Sequence, residues 1–224
     1  MNIEPIAIIE GCYPEKFGIP RQARLVTSAE AEIRLIPPYQ SKDFLDGLEN
    51  YSHIWLIFGF HQNEWQGDAK VRPQRLGGNQ KMGVLATRSP YRPNGLGLSA
   101  VKIASIDHEN AVITVAGHDL VNGTPIYDIK PYIPFTDSIE DAKSLFANEA
   151  PDKYEVSIHE SAQMAFNLLD EKAKDLIQSV IAQNPLPSYH QDYDRIYGVA
   201  ILDLNIRFKR NHNGFEILEI HRNF

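Results

Sequence analysis

The sequence predicts a mainly β protein, an N-terminal β-barrel followed by a small α+β domain. Three observations predict it. The first two-thirds of the chain breaks into short apolar, β-branched runs separated by turn-forming residues. After Pro134 the character changes and helical periodicities begin. Near the end, Asn213-Gly214 stands between two alternating segments, a strong hairpin signal. Many short strands with few helices favour a closed or nearly closed barrel over a doubly wound sheet.

In order, the predicted strands are Ile3–Ile9, Arg24–Thr27, Ala31–Ile36, His53–Phe60, Met82–Ala86, Ser99–Ile106, Ala111–Ala116 and Ile126–Ile133. Pro37-Pro38, Gly77-Gly78, Asp107–Asn110 and Asn122-Gly123 punctuate them. One helix is expected among these strands, over Ser41–Leu48, with Ser41 as N-cap and Phe44, Leu45 and Leu48 as its apolar stripe. Beyond Pro134, Ser138–Asn148 has helical spacing through Ile139, Ala142, Leu145 and Phe146, and Tyr154–His159 alternates as a strand. Glu160–Gln183 repeats Met164, Leu168, Leu169, Leu176, Ile177 and Val180 at three- and four-residue steps, and the segment Asn184–Ser188 (NPLPS) ends it. Strands Gly198–Lys209 and Phe215–His221 then close the chain around the Arg210–Gly214 turn. The expected division is 1–138 for the barrel and 139–224 for the α+β domain.

At 224 residues, 43% hydrophobic and 23% charged, the composition is that of an ordinary globular protein. A single cysteine, Cys12, excludes an intramolecular disulfide, and the Gly11-Cys12-Tyr13-Pro14 turn places no cation immediately beside it to favour a thiolate. The N-terminal MNIEPIAIIE lacks the basic region of a signal peptide, and the longest apolar run, Ile54–Phe60, is too short to cross a bilayer. The expectation is a cytoplasmic protein with no membrane partner.

Charge is distributed unevenly. The net charge is −7, yet Lys70–Lys102 contains no Asp or Glu and seven Lys or Arg, leaving −14 on the remainder. A protein this acidic does not coat nucleic acid indiscriminately, but one focused basic patch suits a nucleic-acid enzyme. Within the patch, Thr87-Arg88-Ser89-Pro90-Tyr91-Arg92-Pro93-Asn94-Gly95 reads as a rigid loop. Guanidinium groups on a stiff loop beside Ser, Tyr and Asn donors suit a phosphate or carboxylate; the alternative is structural pairing with acids elsewhere.

Common cofactor signatures are missing. Gly77–Gly83 lacks the spacing and hydroxyl of a P-loop, Gly95-Leu96-Gly97 has neither the third glycine nor the helix of a dinucleotide fingerprint, and no G-x-S-x-G elbow occurs. No cysteine pair or H-E-x-x-H spacing exists, so no metal is expected. His53 and His61 bracket a strand on one face; His61, at the strand end and followed by Gln62, is the better functional candidate. A second polar constellation runs from Gly117 to Tyr132. There Asp119 and Asp128 can accept from a ribose or amine and Lys130 can face an anion, with an exposed Asp128–Lys130 pair as the structural alternative.

At these residues the chain resembles the TsaA-like family. The resemblance lies in Pro20-Arg21-Gln22, Ser52-His53-Ile54-Trp55, Thr87–Ser99 and Asp119–Pro134, and covers almost all of the first 140 residues in order. Asp194-Arg195-Ile196-Tyr197-Gly198 resembles the family's second-domain motif without the usual proline between Asp and Arg. The resemblance implies a barrel that binds S-adenosylmethionine, a homodimer, and methylation of N6 of threonylcarbamoyl-adenosine at position 37, in the anticodon stem–loop of a threonine tRNA. It implies a cofactor pocket of Arg21, Gln22, His61, Gln62, Arg88, Leu98, Asp119, Leu120 and Val121, with Arg88 on the methionine carboxylate and Asp119 on the ammonium or ribose. Arg92, Asn94 and Lys130 are the candidates for the tRNA side, and Lys70, Arg72, Arg75 and Lys81 for an outer phosphate-facing approach. Catalysis is expected to be an in-line methyl transfer with no metal, aided by a base among His61, Asp119 and Asp128. The rival readings are methylation of another nucleoside or a small molecule, and a non-catalytic regulator that binds S-adenosylmethionine or RNA.

Overall fold

The computed structural model describes residues 2–73, 80–144, 147–186 and 192–223. Strands β1 (Ala7–Gly11), β2 (Glu30–Leu35), β3 (His53–Gly59), β6 (Leu96–Asp107), β7 (Val112–Ala116) and β8 (Pro125–Pro131) close a barrel in the order β1-β2-β7-β6-β3-β8. Every pairing in it is antiparallel. A small ribbon of β4 (Lys70–Val71) and β5 (Met82–Gly83) lies in the long β3–β6 connection.

The barrel follows from period-two alternation. On β3, Ile54, Leu56 and Phe58 point inward, and β1, β2 and β7, paired with one another in register, bring Ala7, Ile9, Ile33, Leu35, Ile113 and Val115 into the same core. Six strands enclose a volume small enough for such side chains to fill. Ligands must therefore bind at an end or on the outside.

Beyond the barrel come a single helical turn, α1 (Pro134–Asp137), then β9 (Glu155–Ile158), α2 (Glu160–Asn167), α3 (Glu171–Ala182), β10 (Ile196–Ile201), β11 (Leu204–Arg210) and β12 (Gly214–Arg222). The four strands form one sheet in the order β10-β11-β12-β9, with β9 parallel to β12. Helix α3 presents Ala173, Leu176, Ile177, Val180 and Ile181 to this sheet at helical spacing. The second core also takes Cys12, Tyr13, Val26 and Ala29 from the β1–β2 connection, so that loop leaves the barrel to pack on the C-terminal elements.

Several predicted elements differ. Arg24–Thr27 is not a strand: Arg24 adopts φ +69, its N–H donates to Gly117 O at 2.7 Å, and Val26 is drawn into the second core. Ser41–Leu48 is broken into two 3-10 turns, Lys42–Phe44 under the Ser41 cap and Leu48–Asn50, because Gly47 turns left-handed at φ +85. Residues 138–144 carry no helix; Leu145 and Phe146, like Arg75, Gly77-Gly78 and Pro187-Ser188, lie outside the described residues. The long helix divides into α2 and α3, because the Asp170 carboxylate accepts from Ala173 N–H at 2.8 Å and caps a new start. Gly198–Lys209 is two strands, reversed at Leu202-Asp203, where Leu202 at φ +56 donates its N–H to Cys12 O at 2.8 Å.

Candidate functional site: a cleft at one end of the barrel

Strand direction determines where the site forms. In this antiparallel order the β1–β2, β3–β6 and β7–β8 connections all leave the same end of the barrel. These are the segments that carry Pro20-Arg21-Gln22, the His61–Asn94 stretch and Asp119–Val121. They surround a cleft of about 810 Å³ that runs from the barrel end onto the outer face of β3 and β6. Its walls gather Arg21, Gln22, His61, Gln62, Arg88, Leu98, Asp119, Leu120 and Val121, all nine residues predicted for the cofactor pocket, and Arg92 as well.

The arginine loop is braced by its own hydroxyls. Thr87 Oγ1 donates to Val84 O at 2.8 Å and accepts from Ser89 N at 3.3 Å, and Ser89 Oγ accepts from Tyr91 N at 3.2 Å. Arg92 Nη1 donates to Thr87 O at 3.0 Å, closing the loop on itself. Asn94 at φ +65 and Gly95 at φ +57 then turn the chain into β6. Asn94 therefore shapes the loop from outside the cleft wall. Arg88 Nη1 donates to Gln22 Oε1, and Gln22 Nε2 to Arg21 O, linking the loop to the opposite wall. Among the described residues Arg88 and Arg92 have no carboxylate within ion-pair distance.

Asp119 is the carboxylate of the cleft. Burial raises its pKa above the ordinary value, opposed by Ser99 Oγ–H, which donates to Oδ1 at 2.7 Å, by backbone N–H groups and by the charge of Arg88. His61 lies exposed at the lip, beside Gln62, whose carbonyl accepts from Lys16 Nζ at 3.0 Å. Asp128 does not line the cleft. It pairs with Lys130 Nζ at 3.0 Å on β8, the exposed pair foreseen as the structural alternative. Opposite them in register stand Ile57 and Trp55, which do line it. Of the three candidate bases, then, His61 and Asp119 meet in the cleft and Asp128 is outside it.

Behind Asp119, His118 is buried against Cys12, with Nε2 3.4 Å from Sγ and its ring 4.9 Å from that of Tyr13. Burial pushes the Cys12 thiol up to about 12 and holds His118 down to about 4. Cys12 is inert packing, not a nucleophile. Lys70, Arg72 and Lys81 are exposed on and beside the β4–β5 ribbon, with no ion pair among the described residues. Sequence reasoning missed Ser99, Trp55 and Arg24 as cleft residues. Trp55 and Ser99 lie inside the motifs already singled out, and only the strand register reveals that both reach the site. Among the described residues no three His, Cys, Asp or Glu side chains gather as a metal would need, and no helix is long and apolar enough to cross a membrane.

Known proteins match this chain over nearly its whole length. Residues 8–138 match the model of the tRNA-methyltransferase O N-terminal domain and residues 151–223 that of the TrmO C-terminal domain. The chain is 42% identical over 229 residues to the tRNA (adenine(37)-N6)-methyltransferase of Escherichia coli K12, covering 98% of this chain and 97% of the other. A relative from Pyrococcus abyssi, named as a probable S-adenosyl-L-methionine-binding protein, is 34% identical over 139 residues, 62% of this chain and 72% of its own. The crystal structure of TrmO from Pseudomonas aeruginosa superposes with a TM-score of 0.81 at 32% identity, covering 99% of this chain and 98% of that one. Two matched domains in order and a relative alike over nearly its whole length place the chain in the tRNA-methyltransferase O family.

Proposed function

We propose that this protein transfers a methyl group from S-adenosylmethionine to N6 of threonylcarbamoyl-adenosine at position 37 of a threonine tRNA. The observation that carries the reading is the convergence of Arg21, Arg88, His61 and Asp119 on one cleft from three separate connections, beside the apolar Leu98 of β6. The donor set fits the cofactor. Arg88, with no carboxylate partner of its own among the described residues, suits the methionine carboxylate. Asp119 suits the ammonium or ribose hydroxyls, and Leu98, Leu120 and Val121 offer apolar surface for the adenine. When bound, S-adenosylmethionine supplies an electrophilic methyl on sulfur.

The protein's contribution is position and proton management. The acceptor nitrogen lies between a purine ring and a carbonyl and is a weak nucleophile, so removing its proton assists attack. Asp119, whose burial raises its proton affinity, and His61 are the groups in the cleft able to take it. The braced loop holds Arg88 and Arg92 in fixed orientations, which supports acceleration by alignment. Arg92 and Asn94, with Lys130, face the tRNA, and Lys70, Arg72 and Lys81 form an approach that neutralises phosphates. The barrel unit is taken as 1–138 and the α+β unit as 139–224, working in the cytoplasm.

A second copy of the chain is the proposed partner. Phe135 is 90% and Ile139 67% exposed on the segment leaving the barrel, apolar surface that an interface would cover. Light scattering is expected to give twice the monomer mass of 25.4 kDa; a monomer at micromolar concentration would rule the dimer out. The activity is tested by deleting the gene, digesting bulk tRNA and examining nucleosides by mass spectrometry. Loss of the methylated threonylcarbamoyl-adenosine is expected, with the unmethylated form accumulating. An unchanged profile would sink the reading.

A further inference from the structure

The outer face of the barrel beside the cleft carries aromatic and cationic groups that the reaction above leaves unused. Trp55 lines the cleft floor, and its ring is fixed on two sides. Its Nε1–H donates to Asp137 Oδ2 at 2.9 Å, an oxygen that also accepts Ile133 N–H at 2.9 Å. The ring of Tyr132 packs against it at 5.5 Å and 40°. Across the sheet the neighbour of Trp55 on β6 is Ala100, so no large side chain covers the indole from that strand.

Cations flank this pair. His53 stands two residues along β3 on the same face, opposite Lys102, with its ring 6.3 Å from that of Tyr132. Arg24 lines the same cleft as Trp55 and is tied by its N–H to Gly117, next to Ala116, the register partner of Lys102. Partial burial, then the charges of Arg24 and Lys102, hold His53 below its ordinary pKa. Arg24 and Lys102 are exposed and make no ion pair among the described residues. Exposed and without a carboxylate partner, both are available to a phosphate. A rigid indole beside two free cations has the elements of a single-stranded nucleic-acid subsite, stacking for the base and charge for the phosphate.

We infer that Trp55 and Tyr132, with Arg24 and Lys102, form a second subsite that takes an unpaired nucleotide flanking the target adenine, its base on Trp55 and its phosphate on the two cations. This rests on the tRNA reading above. The subsite would hold the anticodon loop in register while the target base enters the cleft, and its occupant differs from both the cofactor and the acceptor.

The test uses the full-length protein and a threonine-tRNA anticodon stem–loop transcript. In a Trp65→Phe background Trp55 is the sole indole, since the chain has two tryptophans. Adding the transcript should quench its fluorescence saturably, and S-adenosylmethionine alone should not. Trp55→Ala should weaken transcript binding roughly tenfold, the effect of losing one stacked base, with Trp55→Phe closer to wild type. Cofactor affinity by calorimetry should be unchanged in both variants. Arg24→Gln and Lys102→Gln should each lower the slope of log affinity against log salt by about 0.7. Unchanged transcript affinity in Trp55→Ala would overturn the inference, as would lost cofactor affinity, which would return Trp55 to the cofactor pocket. A shift to monomer in Trp55→Phe would also overturn it, making this face an interface between copies. Wild-type protein that binds the transcript but never methylates full tRNA would refute the activity proposed above and leave this inference standing.

Discussion

Replacing Arg88 by alanine is expected to weaken S-adenosylmethionine binding about 10- to 100-fold in calorimetry, the loss of one charge-assisted hydrogen-bonded pair worth about 1.5–3 kcal/mol. The geometry argues for an effect at the upper end. Arg88 lines the cleft from the braced loop, and its guanidinium bonds a neutral amide, Gln22, with no carboxylate in ion-pair distance among the described residues. Removing it also removes a charge that lowers the proton affinity of Asp119, so the remaining carboxylate would bind a proton more readily. Arg92→Ala should instead weaken tRNA binding while cofactor affinity persists. Both arginines line the same cleft, so their division of labour is a real choice that the pair of variants decides. Loss of cofactor affinity in Arg92→Ala with Arg88→Ala unaffected would reverse it.

The second large effect concerns acid stability. His118 is buried with a pKa held down to about 4, against about 6.5 when unfolded. For a depressed pKa the contribution to stability is complete above 6.5 and is lost as pH falls toward 4, because the unfolded chain takes the proton first. The difference corresponds to about 3 kcal/mol across that window. Asp119 works in the opposite sense: its raised pKa makes its contribution largest below the ordinary carboxylate value and diminishes it as pH rises. Comparing wild type with His118→Gln isolates the histidine. In urea titrations the stability advantage of wild type should shrink steadily from pH 7 to pH 4. Parallel pH profiles for the two proteins would show that His118 is not the titrating group. Gly11 supports the burial: a Cβ there would lie 2.8 Å from His118 Cε1.

The barrel was legible because its strands obey one rule. Ile54, Leu56 and Phe58 alternate with outward residues, and that period carries the barrel between local register shifts, at Ile103/Ser105 on β6 and at Ile57/Phe58 on β3. Arg24–Thr27 obeys the same local rule and is not a strand, because tertiary demand overrides it: Val26 is pulled into the second core and Arg24 turns left-handed. The break at Asp170 was within reach, since an aspartate three residues before Ala173 is a cap signal, but the apolar spacing of Leu168 and Leu169 concealed it. The reversal at Leu202-Asp203 has no glycine to mark it; a backbone bond to Cys12, distant in sequence, stabilises it instead.

The site was legible in a different way. The rigid loop and its cations could be read from charge and from Pro and Gly, whereas the cofactor came only with the family resemblance. What no spacing could give is the meeting of Ser99 with Asp119, or of Trp55 with Asp137, because each depends on how strands align across the sheet. The acid-free stretch Lys70–Lys102 now has parts: a ribbon bearing Lys70, Arg72 and Lys81, a braced loop bearing Arg88 and Arg92, and a strand whose Lys102 faces the neighbouring aromatic pair.

The central claim is that this cleft moves the methyl group of S-adenosylmethionine onto one nitrogen of one modified nucleoside. Its most direct test incubates the purified protein with methyl-labelled S-adenosylmethionine and threonine tRNA that carries threonylcarbamoyl-adenosine, then digests the tRNA and locates the label by mass spectrometry. The account predicts label on N6 of that nucleoside, and none on the same tRNA made without the threonylcarbamoyl group. Label on another nucleoside, or bound cofactor with no transfer to either tRNA, would contradict it.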